Sequence, residues 1–249
     1  MVSRAIHVEA LTSLDTSTFR LALRRFFAIR GTSTRLRSDH GTNFLGAKNQ
    51  MENDIDITAL KRFAQNEGCV WEFVPPYASH FAGVWERKVG AIKSVLSSSI
   101  QQAGLYSLSR DEFYTLIQEA ANIVNRTPLC EVSSDPNDPF PVSPSTLLIM
   151  RDEPSDSPPE LFSEKDILQY GKLRWRRVQF LADQFWIRWK RNYISTVQAR
   201  NKWRSVKINL KPGDIVLVRE KSPRNSWPLA RIVSVKVSKD DLVRLSSYS

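Results

Sequence analysis

The sequence predicts an α/β protein, with a mixed core of strands and helices followed by a long helix and a small antiparallel meander. Three observations lead to this class. Short apolar runs alternate with helical patterns in the first 130 residues, residues 164–202 carry apolar side chains at helical spacing, and residues from 215 onward alternate apolar and polar positions. We expect three segments: a core over residues 1–132, a Pro-, Ser- and Asp-rich linker over 133–163, and a C-terminal part over 164–249.

The first elements predict a strand, a helix and a second strand in sequence. Residues 4–11 alternate polar and apolar side chains, as a half-buried strand does, and the helical pattern that follows ends at Gly31. A short strand over 34–38 then leads directly into Asp39. Such a unit is parallel and right-handed, and ligands of parallel sheets bind beyond the carboxyl ends of the strands. Asp39 is therefore placed for chemistry.

The second half of the core predicts a helix over 57–67, a strand over 69–74 and helices over 83–102 and 109–125. In the helix over 83–102, an apolar stripe is expected to face the core, formed by Trp85, Val89, Ile92, Leu96 and Ile100. Glu86 and Lys93 are seven residues apart and lie on the adjoining face. The sequence therefore places a carboxylate and an ammonium on one exposed strip.

Basic charge is concentrated in the C-terminal part. The chain has a formal net charge of +10, and residues 161–249 hold 20 of the 36 basic residues but only 7 of the 26 acidic ones, which gives this segment +13. A one-sided surplus of this kind is typical of proteins that bind a polyanion, and nucleic acid is the leading candidate. A basic protein without such a partner is the alternative.

Other classes of protein fit the sequence less well. No apolar run has the length of a membrane span and the N-terminus has no apolar signal core, so we expect no membrane partner and an intracellular protein. The nucleus is the compartment we expect for a protein that binds nucleic acid. Cys69 and Cys130 are too few for a disulfide framework, and together with His7, His40 and His80 they match no zinc-binding spacing.

Several motifs in this order resemble one family. They are Arg4–Glu9 (RAIHVE), Ser38–Phe44 (SDHGTNF), Gly83–Arg87 (GVWER), Pro141–Leu148 (PVSPSTLL), Pro212–Leu217 (PGDIVL) and Trp227–Ile232 (WPLARI). The set resembles the integrases of BEL/Pao long-terminal-repeat retrotransposons over nearly the whole chain. This resemblance implies a partial RNase H-like core that lacks its first two strands, then the long helix and a small SH3-like barrel that is cut short.

The resemblance also implies a metal site. Integrases of this type hold Mg²⁺ or Mn²⁺ with three carboxylates, and two such ions stabilise the attacking and leaving oxygens of a phosphodiester displacement. Asp39 and Glu86 match the second and third carboxylates. Glu9 and Asp15 do not lie where the family places the first, and Asp15 suits a helix start instead. Whether the chain is an enzyme is therefore left open, and turnover by the isolated chain is not expected.

The resemblance places Thr42, Asn43 and Lys93 against DNA. Short polar side chains suit contacts to sugar and phosphate, although Thr42 and Asn43 also suit a turn. His40 stands where the family usually has asparagine, and we assign no role to it or to His80.

The long C-terminal helix carries candidates for phosphate contact between its aromatic residues. These candidates are Arg174, Arg176, Arg177, Arg188, Lys190 and Arg191. A solvated basic face is an equal alternative for them, and the aromatic residues of the helix suit a core better than base stacking.

Two functions follow as expectations. The first is part of a retrotransposon integrase that binds DNA, both the element's ends and the target, and works as a homo-multimer by analogy with its family. The second is a non-catalytic DNA- or chromatin-binding remnant of such an element.

Overall fold

The computed structural model describes residues 3–13, 15–38, 56–73, 79–102, 108–129, 141–149, 161–168, 174–197, 210–218, 222–237 and 243–248. Over these residues the protein is a mixture of helices with two small sheets, in agreement with the predicted α/β class. Residues 7–94 form one compact unit, and residues 1–6 together with 95–249 form the other. The predicted segment boundaries at 132/133 and 163/164 stay predictions.

The unit over residues 7–94 begins with helix α1, Thr16–Arg30. Asp15 caps this helix, because its Oδ1 accepts a hydrogen bond from the backbone N–H of Thr18 at 2.7 Å. The hydroxyl of Ser13 also donates to Asp15, and these bonds lower the pKa of Asp15 to about 2. Gly31 ends the helix with a φ of 80°, a backbone conformation that glycine adopts without strain. Asp15 thus has the role of a helix cap.

Two strands and one helix follow α1 in this unit, before the helix that begins at Ser79. They are β1, Arg35–Ser38; α2, Ile57–Asn66; and β2, Val70–Phe73. β1 and β2 pair in parallel, from Arg35 opposite Val70 to Ser38 opposite Phe73, as the predicted strand order requires. The buried core between helices and strands consists of Leu23, Phe27, Leu60, Ala64, Cys69 and Trp71. Parallel pairing and this core confirm the predicted strands over 34–38 and 69–74.

The predicted strand over residues 4–11 is wrong, since the structure shows no strand there. Arg4 has a φ of 49°, which interrupts an extended chain. The backbone of Ile6 pairs with a side chain instead. Its N–H donates to Asn125 Oδ1 at 2.8 Å, and its carbonyl accepts from Asn125 Nδ2 at 2.9 Å. The buried side-chain amide of Asn125 thus bonds the backbone that the alternating pattern predicts to pair with a neighbouring strand.

The second unit contains most of the helices. Its elements begin within α3, Ser79–Gln102, and continue with α4, Arg110–Asn125; α5, Pro144–Ile149; a 3-10 helix, Glu164–Leu168; and α6, Arg174–Val197. Within the long helix predicted over 164–202, residues 164–168 form the 3-10 helix instead and residues 174–197 form α6, whereas 169–173 and 198–202 lie outside the described residues. The helix α5 lies inside the predicted linker. Among the side chains of α3 that are described, Val95 and Ser99 are buried. Leu96 and Ile100 of the expected apolar stripe pack against a core cluster, as predicted, whereas Val89 is exposed.

Helices α4 and α6 pack side by side in the same direction. Hydrogen bonds join Glu112 to Arg177, Glu119 to Gln179, Thr127 to Trp189 and Pro128 to Tyr193, and these partners lie 65, 60, 62 and 65 residues apart. A nearly constant separation along both helices means that they run parallel. Their interface contains a buried apolar cluster of Leu116, Val178, Phe180, Leu181 and Ala182.

The C-terminal strands form a three-stranded antiparallel meander. They are β3, Ile215–Leu217; β4, Leu229–Val237; and β5, Val243–Tyr248, with β4 in the centre. These pairs confirm the antiparallel meander predicted from residue 215 onward. In the part of the chain that is described, these strands form an open sheet, and the closed barrel stays a prediction.

No helix in the described ranges combines the length and the apolar character that crossing a membrane requires.

Candidate nucleic-acid interface

The predicted metal ligands lie at the limits of what the structure describes. β1 ends at Ser38, whose Oγ accepts a hydrogen bond from Trp71 Nε1 at 2.9 Å, and the chain continues directly into Asp39. Asp39, Thr42 and Asn43 fall outside the described residues. Glu86 belongs to α3, but its side chain is also outside the description. The described residues contain no cluster of three metal-ligating side chains, a finding that does not touch Asp39 or Glu86.

Lys93 is exposed on α3, two turns after Glu86. Between them lies Gly90, which is also exposed and has no atom within 4 Å of the position a Cβ would take. Residues seven apart share one helix face, so Lys93 and the backbone position of Glu86 lie on the same face of α3, and the exposed strip stays a prediction for the carboxylate of Glu86.

Three of the six basic residues predicted for phosphate contact on α6 have partners inside the fold. Arg177 is 3% exposed and its Nη1 lies 3.2 Å from Glu112 Oε1. Arg176 Nε lies 2.8 Å from Asp166 Oδ1, and Lys190 Nζ lies 2.8 Å from Ser222 Oγ. Arg177 and Lys190 are buried, Arg176 is half-buried, and all three are engaged by the fold. Their contact with phosphate stays a prediction.

The other three basic residues of α6 are exposed or half-buried. Arg174 and Arg191 are exposed and Arg188 is half-buried. Arg188 and Arg191 have no ion pair with any other residue that the structure describes. They are three positions apart, so they lie on one face about 4.5 Å apart along the helix axis, with Arg174 about 21 Å from Arg188 along the same axis. This outer face of α6 is the candidate interface, and we call it the Arg188–Arg191 face.

The electrostatics of α4 explain why Arg177 is turned inward. Burial by itself raises the pKa of Glu112, but hydrogen bonds from Ser109 and the charges of Arg177 and Arg174 outweigh it, and the pKa is lowered. Glu112 is also the third residue of a capping box, in which Ser109 and Glu112 bond each other's backbone N–H groups. One carboxylate therefore both starts α4 and neutralises Arg177.

Most aromatic side chains of α6 belong to the core, as expected. Phe185 and Trp189 are buried and stacked, with ring centroids 6.0 Å apart and planes 9° apart. Trp175 is the exception, since it is 48% exposed and contacts Phe162 edge-on.

Arg224 is an important residue that the sequence did not reveal. It lies in the turn before β4, its side chain is 3% exposed, and its guanidinium reaches Gln179 Oε1 at 2.5 Å, Asp183 at 3.4 Å and Glu119 at 4.0 Å. Burial raises the pKa of Asp183, and the charge of Arg224 opposes this rise. Arg224 thus fastens the turn to both α4 and α6. It lies in a Ser-Pro-Arg-Asn-Ser run, a composition that is typical of exposed turns, so the sequence gives no sign of its burial.

Comparison with known proteins adds one result. No curated protein matches the chain. Residues 173–248, which contain α6 and the three-stranded meander, match a family of unknown function, DUF5641.

Proposed function

We propose that this chain is part of a retrotransposon integrase and that it binds the DNA backbone through the Arg188–Arg191 face. The observation that carries the proposal is the sorting of basic residues on α6. Three have partners inside the fold, whereas Arg191 is exposed, Arg188 is half-buried, and neither of these two has an ion pair in the described structure. The matching family occurs in retrotransposon-related proteins, which supports the link to DNA. The net charge of +13 over residues 161–249 supplies the long-range attraction.

A double variant tests the interface. In the full chain, Arg188→Ala/Arg191→Ala is expected to weaken binding to duplex DNA of any sequence, because phosphate contacts position a protein without reading bases. The slope of log K against log salt is negative, and each lost phosphate contact makes it less steep by roughly 0.9, so the double variant should reduce its magnitude by about 1.8. Fluorescence anisotropy at several salt concentrations measures both effects.

The matched control removes equal charge elsewhere on the same unit. Arg110→Ala/Lys165→Ala changes two exposed basic residues on α4 and the 3-10 helix. This control should leave the slope nearly unchanged. An equal loss in both double variants would mean that the overall charge binds DNA, and the Arg188–Arg191 face would lose its role.

The fold implied by the family is part of the same proposal. We assign the parallel β1 and β2 to an RNase H-like sheet and the meander of β3, β4 and β5 to a small SH3-like barrel. The strand directions support both assignments. In this arrangement Asp39 follows the carboxyl end of a parallel strand, which is where such sheets place their ligands.

We further propose that Asp39 and Glu86 hold Mg²⁺ or Mn²⁺. The chemistry of the donors fits, because carboxylate oxygens are the ligands that these hard cations prefer. When bound, the metal polarises a phosphodiester and stabilises the charge that develops on its oxygens. Asp39 and Glu86 would hold the ion. Lys93 lies on the same helix face as Glu86, where a phosphate would need a positive charge.

Metal binding is tested apart from activity. Asp39→Asn and Glu86→Gln are each expected to remove Mn²⁺ binding, because each takes away one charged ligand. Electron paramagnetic resonance of free Mn²⁺ during a titration measures it. Asp111→Asn is the control, since Asp111 is exposed in the first turn of α4. Unchanged Mn²⁺ binding in both site variants, with DNA binding intact, would favour the non-catalytic DNA-binding remnant.

A further inference from the structure

Three aromatic rings meet where the turn before β4 contacts α6. Trp186 and Tyr193 come from α6, and Trp227 comes from the turn. The centroids of Trp186 and Trp227 are 5.0 Å apart with planes at 82°, and those of Tyr193 and Trp227 are 5.2 Å apart with planes at 74°. When two rings stand at nearly right angles, the faces of both can border the same small space. We call this group the aromatic box.

The aromatic box already contains a cation. Lys190 Nζ lies 5.8 Å from the centroid of Trp186 and 5.9 Å from that of Trp227, over both ring faces. The negative face of an aromatic ring attracts a cation within about 6 Å, and this attraction is strongest for tryptophan. Lys190 is 8% exposed, and burial lowers the pKa of its ammonium. The chain thus holds a desolvated charge against two indole faces.

The indole of Trp227 is positioned by ring contacts and not by a hydrogen bond from its N–H group. Its Nε1 is buried and has no hydrogen-bond partner among the residues described. Buried indole N–H groups usually find a partner. The position of this ring therefore depends on the contacts of its face and edge with Trp186, Tyr193 and the ammonium of Lys190.

We propose that Trp186, Tyr193 and Trp227 form a binding site for an alkylammonium group, which Lys190 occupies from within the chain. Methylated ammonium ions are the cations that such arrangements of rings recognise, since they keep full charge while carrying an apolar surface that costs little to desolvate. Lys190 then acts as an internal competitor, and an external alkylammonium enters when Lys190 leaves. This site is separate from the Arg188–Arg191 face and does not depend on the DNA-binding proposal.

Tetramethylammonium is the probe for this site. Lys190→Ala is expected to bind it at least tenfold more tightly than the unaltered chain, because the competing ammonium is gone and its space is open. Isothermal titration calorimetry measures binding, with sodium chloride at equal ionic strength as the reference. Lys190→Met is the matched control, since it removes the charge but keeps a side chain of similar length in the box, and it should show no such gain.

The ring contribution is tested by a second change. Lys190→Ala/Trp227→Leu should lose the gained affinity while circular dichroism shows retained helix. If Lys190→Ala does not fold, Ser222→Ala decides instead, because it removes the 2.8 Å hydrogen bond from Lys190 Nζ to Ser222 Oγ, together with the bond that Ser222 Oγ donates to the carbonyl of Ser226. Ser222→Ala should then raise the affinity several-fold. A folded Lys190→Ala that binds no better than the unaltered chain would overturn the proposal, as would a gain that persists without Trp227 or an absence of gain in Ser222→Ala.

Discussion

Glu112→Ala is expected to lower the free energy of unfolding by about 3–5 kcal/mol, because it leaves the guanidinium of Arg177 buried without its partner. Both side chains are nearly inaccessible, at 3% for Arg177 and 5% for Glu112. The change also removes half of the capping box of α4, a loss of about 1 kcal/mol at a helix start. Urea unfolding followed by circular dichroism measures the effect.

Two controls separate the buried pair from general charge effects. Asp111→Ala removes an exposed carboxylate from the same helix turn and should cost less than about 1 kcal/mol. Glu112→Leu/Arg177→Met replaces both charges by apolar side chains and should be more stable than Glu112→Ala. A Glu112→Ala chain as stable as Asp111→Ala would show that Arg177 finds another partner.

The same pair gives a dependence on pH with a defined sign. The fold lowers the pKa of Glu112, so the unfolded chain takes up its proton at a higher pH than the folded chain does. The contribution of Glu112 to stability is therefore complete at neutral pH and is lost as the pH falls below the usual range of a glutamate.

Phe185→Ala is expected to cost about 3–5 kcal/mol, the range found when a buried phenylalanine is cut back to alanine. Phe185 is fully buried on α6 and stacks on Trp189. Removing it leaves a cavity beside a rigid indole that cannot move in to fill the space. Thermal and urea unfolding both measure this loss.

Ile187→Ala is the matched control for the core. Ile187 lies two residues further along α6 but is 48% exposed, so its truncation should cost below about 1 kcal/mol. Equal effects from the two changes would mean that the inner and outer faces of α6 are wrongly assigned, and the Arg188–Arg191 face would be wrong with them.

Local patterns predicted much of the fold correctly. The strands over 35–38 and 70–73 lie within the predicted segments 34–38 and 69–74, and the start of α4 follows from Ser109 as a helix cap. These signals lie within a few residues of the structure they specify. The alternation over residues 4–11 failed because pairing depends on what lies beside a segment, and here Asn125 lies there.

Long-range pairs left no comparable signal. Arg177 in the sequence looks like any basic residue on an amphipathic helix, and its carboxylate partner is 65 residues away. Arg224 likewise lies 45 residues from Gln179. Only the three-dimensional packing separates Arg177 and Lys190 from Arg188 and Arg191. The sequence could therefore predict a basic helix, but not which of its cations are available to a ligand.

The parallel pairing of α4 and α6 determines where the chain can change length during evolution. One residue inserted within either helix would rotate everything beyond it by about 100°, since a turn holds 3.6 residues, and would separate each downstream pair. An insertion between the helices leaves their register unchanged, and each doubling of a loop's length costs only about 0.6 kcal/mol in general. Related sequences should therefore vary in length between the two helices, outside α5 and the 3-10 helix, while keeping the length from Glu112 to Pro128 and from Arg177 to Tyr193 constant.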